Sequence, residues 1–179
     1  FIVGLVDRPR VIDGARVAAG DVLLGLPSAG LHTNGYSLAR RILFEQMKLG
    51  LGDRLRGASD KLRVGEWLLA PHLSYLAPLR PLLAHPGLHA LAHITGGGLT
   101  DNLPRVLPDG LAAEIRLGSW EIPQPYALLQ EKGDIELEEM FRVFNMGIGM
   151  VVVTAPDAAV EFSRRLAAVG QRALPIGRI

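Results

Sequence analysis

The sequence predicts a layered sandwich of helices and sheet, of the α/β or α+β class. Two observations carry this. Apolar segments of strand character intermix with segments of helical period, without the strict alternation of a parallel barrel. The 179 residues are 49% hydrophobic and 21% charged, enough to bury one core and too apolar for a disordered chain. Only 6% are aromatic, so the core must be aliphatic, and 21 Gly with 12 Pro predict many turns and close backbone approaches.

Residues 1–6 are apolar and β-prone. At 12–15 the pair Asp13-Gly14 favours a tight hairpin turn. Residues 21–26 read as a buried strand, and 27–35 are dense in turn formers. Over 37–48, Leu38, Ile42, Leu43 and Met47 fall on one helical face. A Gly- and charge-rich loop is expected over 49–64. Residues 66–84 are helix-prone, with a restart expected near Pro71 and kinks at Pro78 and Pro81. A strand over 88–95 leads into Gly96-Gly97-Gly98, then a short helix over 100–107 and an alternating strand over 111–117. Short helices follow at 125–132 and 137–144, around Gly133, and a buried strand at 148–154. A helix opening at Pro156 carries Ala159, Phe162, Leu166 and Val169 as its stripe, with Gly170 as C-cap. Residues 172–179 form the last strand.

Composition excludes several function classes. With no cysteine there is no disulfide scaffold, thiolate zinc site or Cys nucleophile. A net charge of +1 gives no global field for nucleic acid or anionic lipid. The longest apolar run, 146–155, contains two glycines and falls short of the ~20 residues of a spanning helix. No secretory or transit leader is read at the start. The chain starts at Phe1 and stops at Ile179, both in strand-like sequence, so both ends read as cut from something longer.

Chemistry concentrates in two turns. Ser28-Ala29-Gly30-Leu31-His32-Thr33-Asn34-Gly35-Tyr36-Ser37 lies between a buried strand and a helix start, where unpaired amides favour anions. Gly30 and Gly35 permit close approach or positive φ, Ser28, Thr33, Asn34 and Ser37 are short polar groups, and His32 alone there exchanges a proton near neutral pH. The same residues would also serve as a plain helix cap and surface loop. The second turn, His93-Ile94-Thr95-Gly96-Gly97-Gly98 into Asp101-Asn102, offers bare amides for an oxyanion, or a sharp turn that needs small residues. No Lys follows the glycines, so it is not a P-loop. A third stretch, Phe144-Asn145-Met146-Gly147-Ile148-Gly149-Met150, reads first as tight packing against the sheet. His85, His89 and His93 recur every four residues, but Pro86-Gly87 breaks any shared helix, and no metal ligands are assigned. The acids among Glu131, Asp134, Glu136, Glu138 and Glu139 read as a solvated helix face, and Trp67 and Trp120 as packing residues.

Three long motifs occur in one order: the stretch from Leu26 through His32-Thr33-Asn34-Gly35-Tyr36-Ser37 to Leu38; His93-Ile94-Thr95-Gly96-Gly97-Gly98 continuing to Asn102-Leu103-Pro104-Arg105-Val106-Leu107-Pro108; and Glu139 through Phe144-Asn145-Met146-Gly147 to Met150. Together they resemble the phosphoribosylformylglycinamidine cyclo-ligase (AIR synthetase) family over nearly the whole chain. The wider superfamily holds formylglycinamidine ribonucleotide synthase, selenophosphate synthetase, thiamine-monophosphate kinase and HypE. The resemblance implies an α+β fold, a three-layer α/β/α sandwich with a mixed sheet and partly ferredoxin-like topology. It implies that residues 1–179 are one C-terminal domain, with the N-terminal ATP-binding domain absent.

The implied reaction turns formylglycinamidine ribonucleotide and ATP into aminoimidazole ribonucleotide, ADP and phosphate, with Mg²⁺, in purine biosynthesis in the cytoplasm. On that reading His32 and Asn34 are catalytic, and Ser28, Gly30, Thr33, Gly35, Thr95, Gly96, Gly97 and Gly98 bind substrate or phosphate. The fragment alone is expected to be inactive and to hold no cofactor tightly, and its full-length form to be a homodimer. Two alternatives stay open here: another ATP-using member of the superfamily, such as a selenophosphate or thiamine-phosphate enzyme, and a non-catalytic module for a phosphate ligand.

Overall fold

A computed structural model describes residues 3–55 and 61–179. Among these residues five strands form one sheet: β1 (Val22–Pro27), β2 (Leu88–His93), β3 (Glu114–Ile115), β4 (Ile148–Thr154) and β5 (Leu174–Arg178). Their order is β2-β4-β1-β5-β3. The α-helices described with them are α1 (Tyr36–Arg40), α2 (Val64–Leu68), α3 (Leu76–Leu79), α4 (Gly98–Asn102), α5 (Gln124–Gly133), α6 (Leu137–Val143) and α7 (Ala159–Ala168).

The α+β class holds, but the mixed sheet does not: every pairing between the five strands is antiparallel. The closing strand–helix–strand unit suggests a parallel pair. The chain instead seats β1 between β4 and β5, antiparallel to both, so the two run the same way without touching. β4 separates β1 from β2 in the same manner. This is the split β-α-β arrangement of ferredoxin-like folds, with β3 added at one edge.

Strand alternation sends side chains into two cores. Leu24, Leu26, Leu88 and Val152 pack with Leu79, Leu82, Phe162 and Leu166 on one face. Leu23, Ala90, Ala92, Val151, Val153 and Ile176 pack with Leu99, Leu103 and Trp120 on the other. Helices on both faces give the three layers. Val151, Val152 and Val153 are wholly buried, each contributing ~1.5–3 kcal/mol of apolar transfer. A third core gathers Leu31, Ile42, Leu43, Trp67, Tyr126, Leu129, Met140 and Phe144, joining α1, α2, α5 and α6.

Several boundaries differ from expectation. Phe1 and Ile2 lie outside the described residues, as does the 56–60 part of the expected loop over 49–64. Val3, Leu5 and Val6 are exposed, with no strand there. Asp13-Gly14 makes a turn, with the Asp13 carboxylate accepting the Ala15 amide, but no strands flank it. Gly14 holds φ 81°, and an added Cβ there would also collide with the Val106 carbonyl oxygen, so the turn needs glycine on both counts. The helix over 66–84 breaks earlier and resumes later than Pro71 implies: α2 ends at Leu68 and α3 starts at Leu76, with Pro78 in its first turn. α1 runs on as a π-helix over Arg41–Gln46 that buries Ile42 and Leu43. Of 111–117 only Glu114 and Ile115 pair, at the sheet edge. The end of α7 follows the expected pattern, with Gly170 N donating to Ala167 O and Gln171 N to Leu166 O. No helix among the described residues is long and apolar enough to cross a membrane.

Candidate functional site

The three motifs meet at one end of the sheet. β1 delivers the first turn and β2 the second, and the third motif runs between them into β4. In the first turn His32 and Thr33 both take left-handed φ, 49° and 68°, and Gly35 follows at 74°. Gly35 is required twice over, since an added Cβ would also run into the Phe144 ring. Asn34 Nδ2 donates to His32 O at 2.7 Å, which braces the two left-handed residues. Thr33 is exposed and Asn34 half-buried at the rim.

The second turn abuts the first. An added Cβ on Gly96 would lie 3.4 Å from Asn34 Oδ1. Gly96 is exposed and Gly97 half-buried, and among the described residues neither amide donates to a protein acceptor. Gly97 holds φ 99° and starts α4 two residues earlier than expected. Gly98 faces inward: an added Cβ would overlap the Phe141 carbonyl oxygen. Asn102, buried, ties the turn from below. Its Nδ2 donates to Gly98 O at 2.7 Å, and its Oδ1 accepts from Thr95 Oγ1 at 3.1 Å. Of the residues expected to bind a ligand, Thr33, Asn34, Gly96 and Gly97 thus line the open junction, whereas Gly98 and Thr95 are engaged by the protein.

Ser28 and Gly30 also turn inward, through a residue the sequence left unassigned. Asn145 is 1% exposed. Its Oδ1 accepts from Ser28 Oγ at 2.9 Å, Tyr126 Oη at 2.8 Å and the Gly147 amide at 2.8 Å. Its Nδ2 donates to Gly30 O at 2.8 Å, and the single Tyr126 hydroxyl proton is shared between Asn145 Oδ1 and Gly30 O, each 2.8 Å away. Burial pushes the Tyr126 hydroxyl pKa upward, so it stays a donor. The only sequence signal for Asn145 was an amide inside an otherwise apolar motif. Ser28 and Gly147 also border a groove of about 600 Å³ that reaches Trp120 and Arg172.

His32 is 2% exposed. Its Nε2 accepts the Ala29 amide at 3.0 Å and, at 3.4 Å, the Leu73 amide. Nε2 is therefore the bare nitrogen, and the proton of the neutral ring sits on Nδ1, which has no partner among the described residues. Burial first, then His72 and His93 nearby, pull its pKa down to about 4. The ring is neutral at pH 7. Gly149 makes room for this packing, since an added Cβ would lie 2.8 Å from His32 Nδ1 and would collide with Tyr75 Oη. The glycine-alternating third motif is indeed a place of close approach. Tyr75 Oη donates to Pro27 O at 2.8 Å and pins the end of β1.

The histidines spaced by four separate. His85 faces Glu161 at 3.6 Å, His89 meets the buried Asp21 at 2.6 Å, and His93 turns to His72. No group of three or more His, Asp or Glu is placed to hold a metal ion among the described residues. Trp67 and Trp120 are packing residues. Trp67 meets Tyr126 edge-on, and Trp120 Nε1 donates to Met146 O at 2.9 Å.

Residues 18–179 match the family described as AIR synthase related protein, C-terminal domain. The chain is 48% identical over 178 residues to a phosphoribosylformylglycinamidine cyclo-ligase of Bacillus cereus, covering 99% of this chain and 51% of that protein. It thus spans about half the length of the curated relatives it matches. Among solved structures, thiamine-monophosphate kinase from Stenotrophomonas maltophilia superposes with a TM-score of 0.63 at 21% identity, over 97% of this chain and 51% of that one. The hydrogenase maturation protein HypE of E. coli gives 0.56 at 23% identity, over 92% and 45%. At these identities the two structures speak for the fold.

Proposed function

We propose, for a chain that belongs to the AIR synthase related protein C-terminal domain family, that it is the C-terminal half of an ATP-dependent cyclo-ligase. Residues 1–179 form one domain in this reading, and the half that holds most of the ATP lies outside it. The substrate is formylglycinamidine ribonucleotide. ATP phosphorylates its formyl amide oxygen, the amidine nitrogen displaces phosphate, and the imidazole ring of aminoimidazole ribonucleotide closes.

One observation supports the placement of the site: the Gly96 and Gly97 amides, free of protein acceptors among the described residues, stand beside Asn34 at the junction of two signature turns. Phosphoryl transfer is helped mainly by positioning and by charge stabilisation, and fixed amide donors supply both. In the proposal these amides, with Thr33 and Asn34, receive the anionic part of the substrate. Ser28, Gly30, Gly35, Thr95 and Gly98 hold the two turns in shape. His32, neutral and engaged at Nε2, acts as a positioning residue that fixes the turn displaying Thr33 and Asn34. The described carboxylates form no cage for Mg²⁺, so its ligands are assigned to the other half, and no step is routed through it.

The test is reconstitution. The chain alone, given ATP and formylglycinamidine ribonucleotide, is expected to release no ADP. A protein carrying this chain fused behind the N-terminal half of the Bacillus cereus relative is expected to make aminoimidazole ribonucleotide. Turnover by the chain alone, or a soluble and folded fusion without turnover, would refute the assignment.

A further inference from the structure

We propose that Asn102 is a positioning residue for the anion site: its side chain sets the direction in which the Gly96 and Gly97 amides point. The inference rests on the reading that these amides receive the anionic part of the substrate, and it adds a residue that touches no ligand.

Asn102 closes α4 and is 4% exposed. Leu99 and Leu103 anchor the same stretch in the core that covers the sheet. The Thr95 hydroxyl donates to Asn102 Oδ1 at 3.1 Å, which fixes the orientation of the side-chain amide. Nδ2 then faces three carbonyl oxygens with its pair of protons. Gly98 O, at 2.7 Å, takes one proton; Thr95 O and Gly96 O, at 3.4 and 3.3 Å, share the other.

A trans peptide points its C=O and N–H in opposite directions, and no peptide bond among the described residues is cis. Turning Thr95 O inward therefore turns the Gly96 N–H outward, and turning Gly96 O inward turns the Gly97 N–H outward. Thr95 O has a second inward donor, the Gly98 amide at 3.0 Å. Gly96 O has no backbone donor among the described residues, so the Gly97 amide takes its direction from Asn102. Glycines flank that peptide on both sides, and glycine lets a peptide plane swing with little steric resistance. Asn102 removes this freedom. Successive amides then stand fixed on one side of the turn, as an oxyanion requires and as charge stabilisation without reorganisation favours.

Asn102→Asp keeps the shape and the Thr95 contact but puts a carboxylate oxygen where the inward donor was. That oxygen repels the carbonyls and attracts an N–H, so the Gly96–Gly97 peptide should turn over and bring the Gly97 amide inward. Two measurements test this. In the first, inorganic phosphate is titrated into the chain at neutral pH and followed by amide-detected NMR. The Gly96 and Gly97 resonances of the parent should shift and saturate, and in Asn102→Asp the Gly97 response should vanish. The second uses the two-domain fusion. In Asn102→Asp the KM for formylglycinamidine ribonucleotide should rise about tenfold, and that for ATP should stay within about twofold, because the other half holds most of the ATP. A merely structural role would lower kcat through lost folded enzyme and leave both KM values alone. Thr95→Val, which frees Asn102 Oδ1 without adding charge, should raise the same KM about threefold and serves if Asn102→Asp does not fold. Gly96 and Gly97 amides that ignore phosphate in the parent, a folded Asn102→Asp chain with an intact Gly97 response, or an unchanged KM for the ribonucleotide would overturn the proposal. A parent fusion without turnover refutes the cyclo-ligase reading instead and leaves the NMR result to decide on Asn102.

Discussion

Acid should destabilise this protein through His32. The folded pKa of about 4 lies below the ~6.5 of an unfolded histidine, because burial and the neighbouring His72 and His93 disfavour the imidazolium. Above pH 6.5 the ring is neutral in both states and its packing contributes in full. As pH falls from 6.5 to 4, the unfolded chain takes up a proton that the folded chain refuses, and stability drops. A gap of ~2.5 pH units at 1.36 kcal/mol each bounds the loss at ~3 kcal/mol. Screening by solvent near the ring trims this to ~2 kcal/mol. Against a total of ~5–15 kcal/mol for a domain, that is a large fraction. The assay is urea unfolding from pH 7.5 to 4, comparing the parent with His32→Gln. Gln places an oxygen near the Nε2 position, so the Ala29 amide keeps its acceptor, yet nothing titrates. The parent should lose ~2 kcal/mol more than the variant across this range. Parallel pH profiles would refute a buried, neutral His32.

Three further outcomes follow from the same geometry. Asn145→Ala removes four hydrogen bonds and orphans the Ser28 hydroxyl and Gly147 amide, so urea unfolding should show a loss of ~2–4 kcal/mol. Gly149→Ala puts a methyl against Tyr75 Oη and should cost ~1–3 kcal/mol, with partial recovery in the Gly149→Ala, Tyr75→Phe double variant; no recovery would mean that the clash lies elsewhere. Gly96→Ala meets nothing nearer than Asn34 Oδ1 at 3.4 Å, so stability should stay within ~0.5 kcal/mol. In the two-domain fusion the same methyl crowds the proposed anion site, and kcat/KM should fall at least tenfold; unchanged turnover would remove the turn from the site.

By itself the sequence determined the class of the fold, most of its elements and the family. Period and punctuation are local properties, so β4, α5 to α7 and the Gly170 cap were readable where side-chain pattern and turn residue agree. The three motifs were readable for the same reason. Pairing direction was not. Whether β5 joins β4 or lies across β1 depends on which apolar faces fit together, and the sequence of either strand is the same in both cases. The division of labour within the motifs was also decided by tertiary structure. Ser28, Gly30 and His32 look like ligand-facing groups in a polar turn, yet Asn145, more than a hundred residues away, draws Ser28 and Gly30 inward, and Gly149 opens the space that buries His32. Burial is set by what packs from elsewhere in the chain, and a buried polar atom must take its partner from whatever the fold brings within ~3 Å. His72 and His93 met for the same reason: two exposed side chains on separate elements, joined only once β2 and the segment before α3 share one face of the sheet.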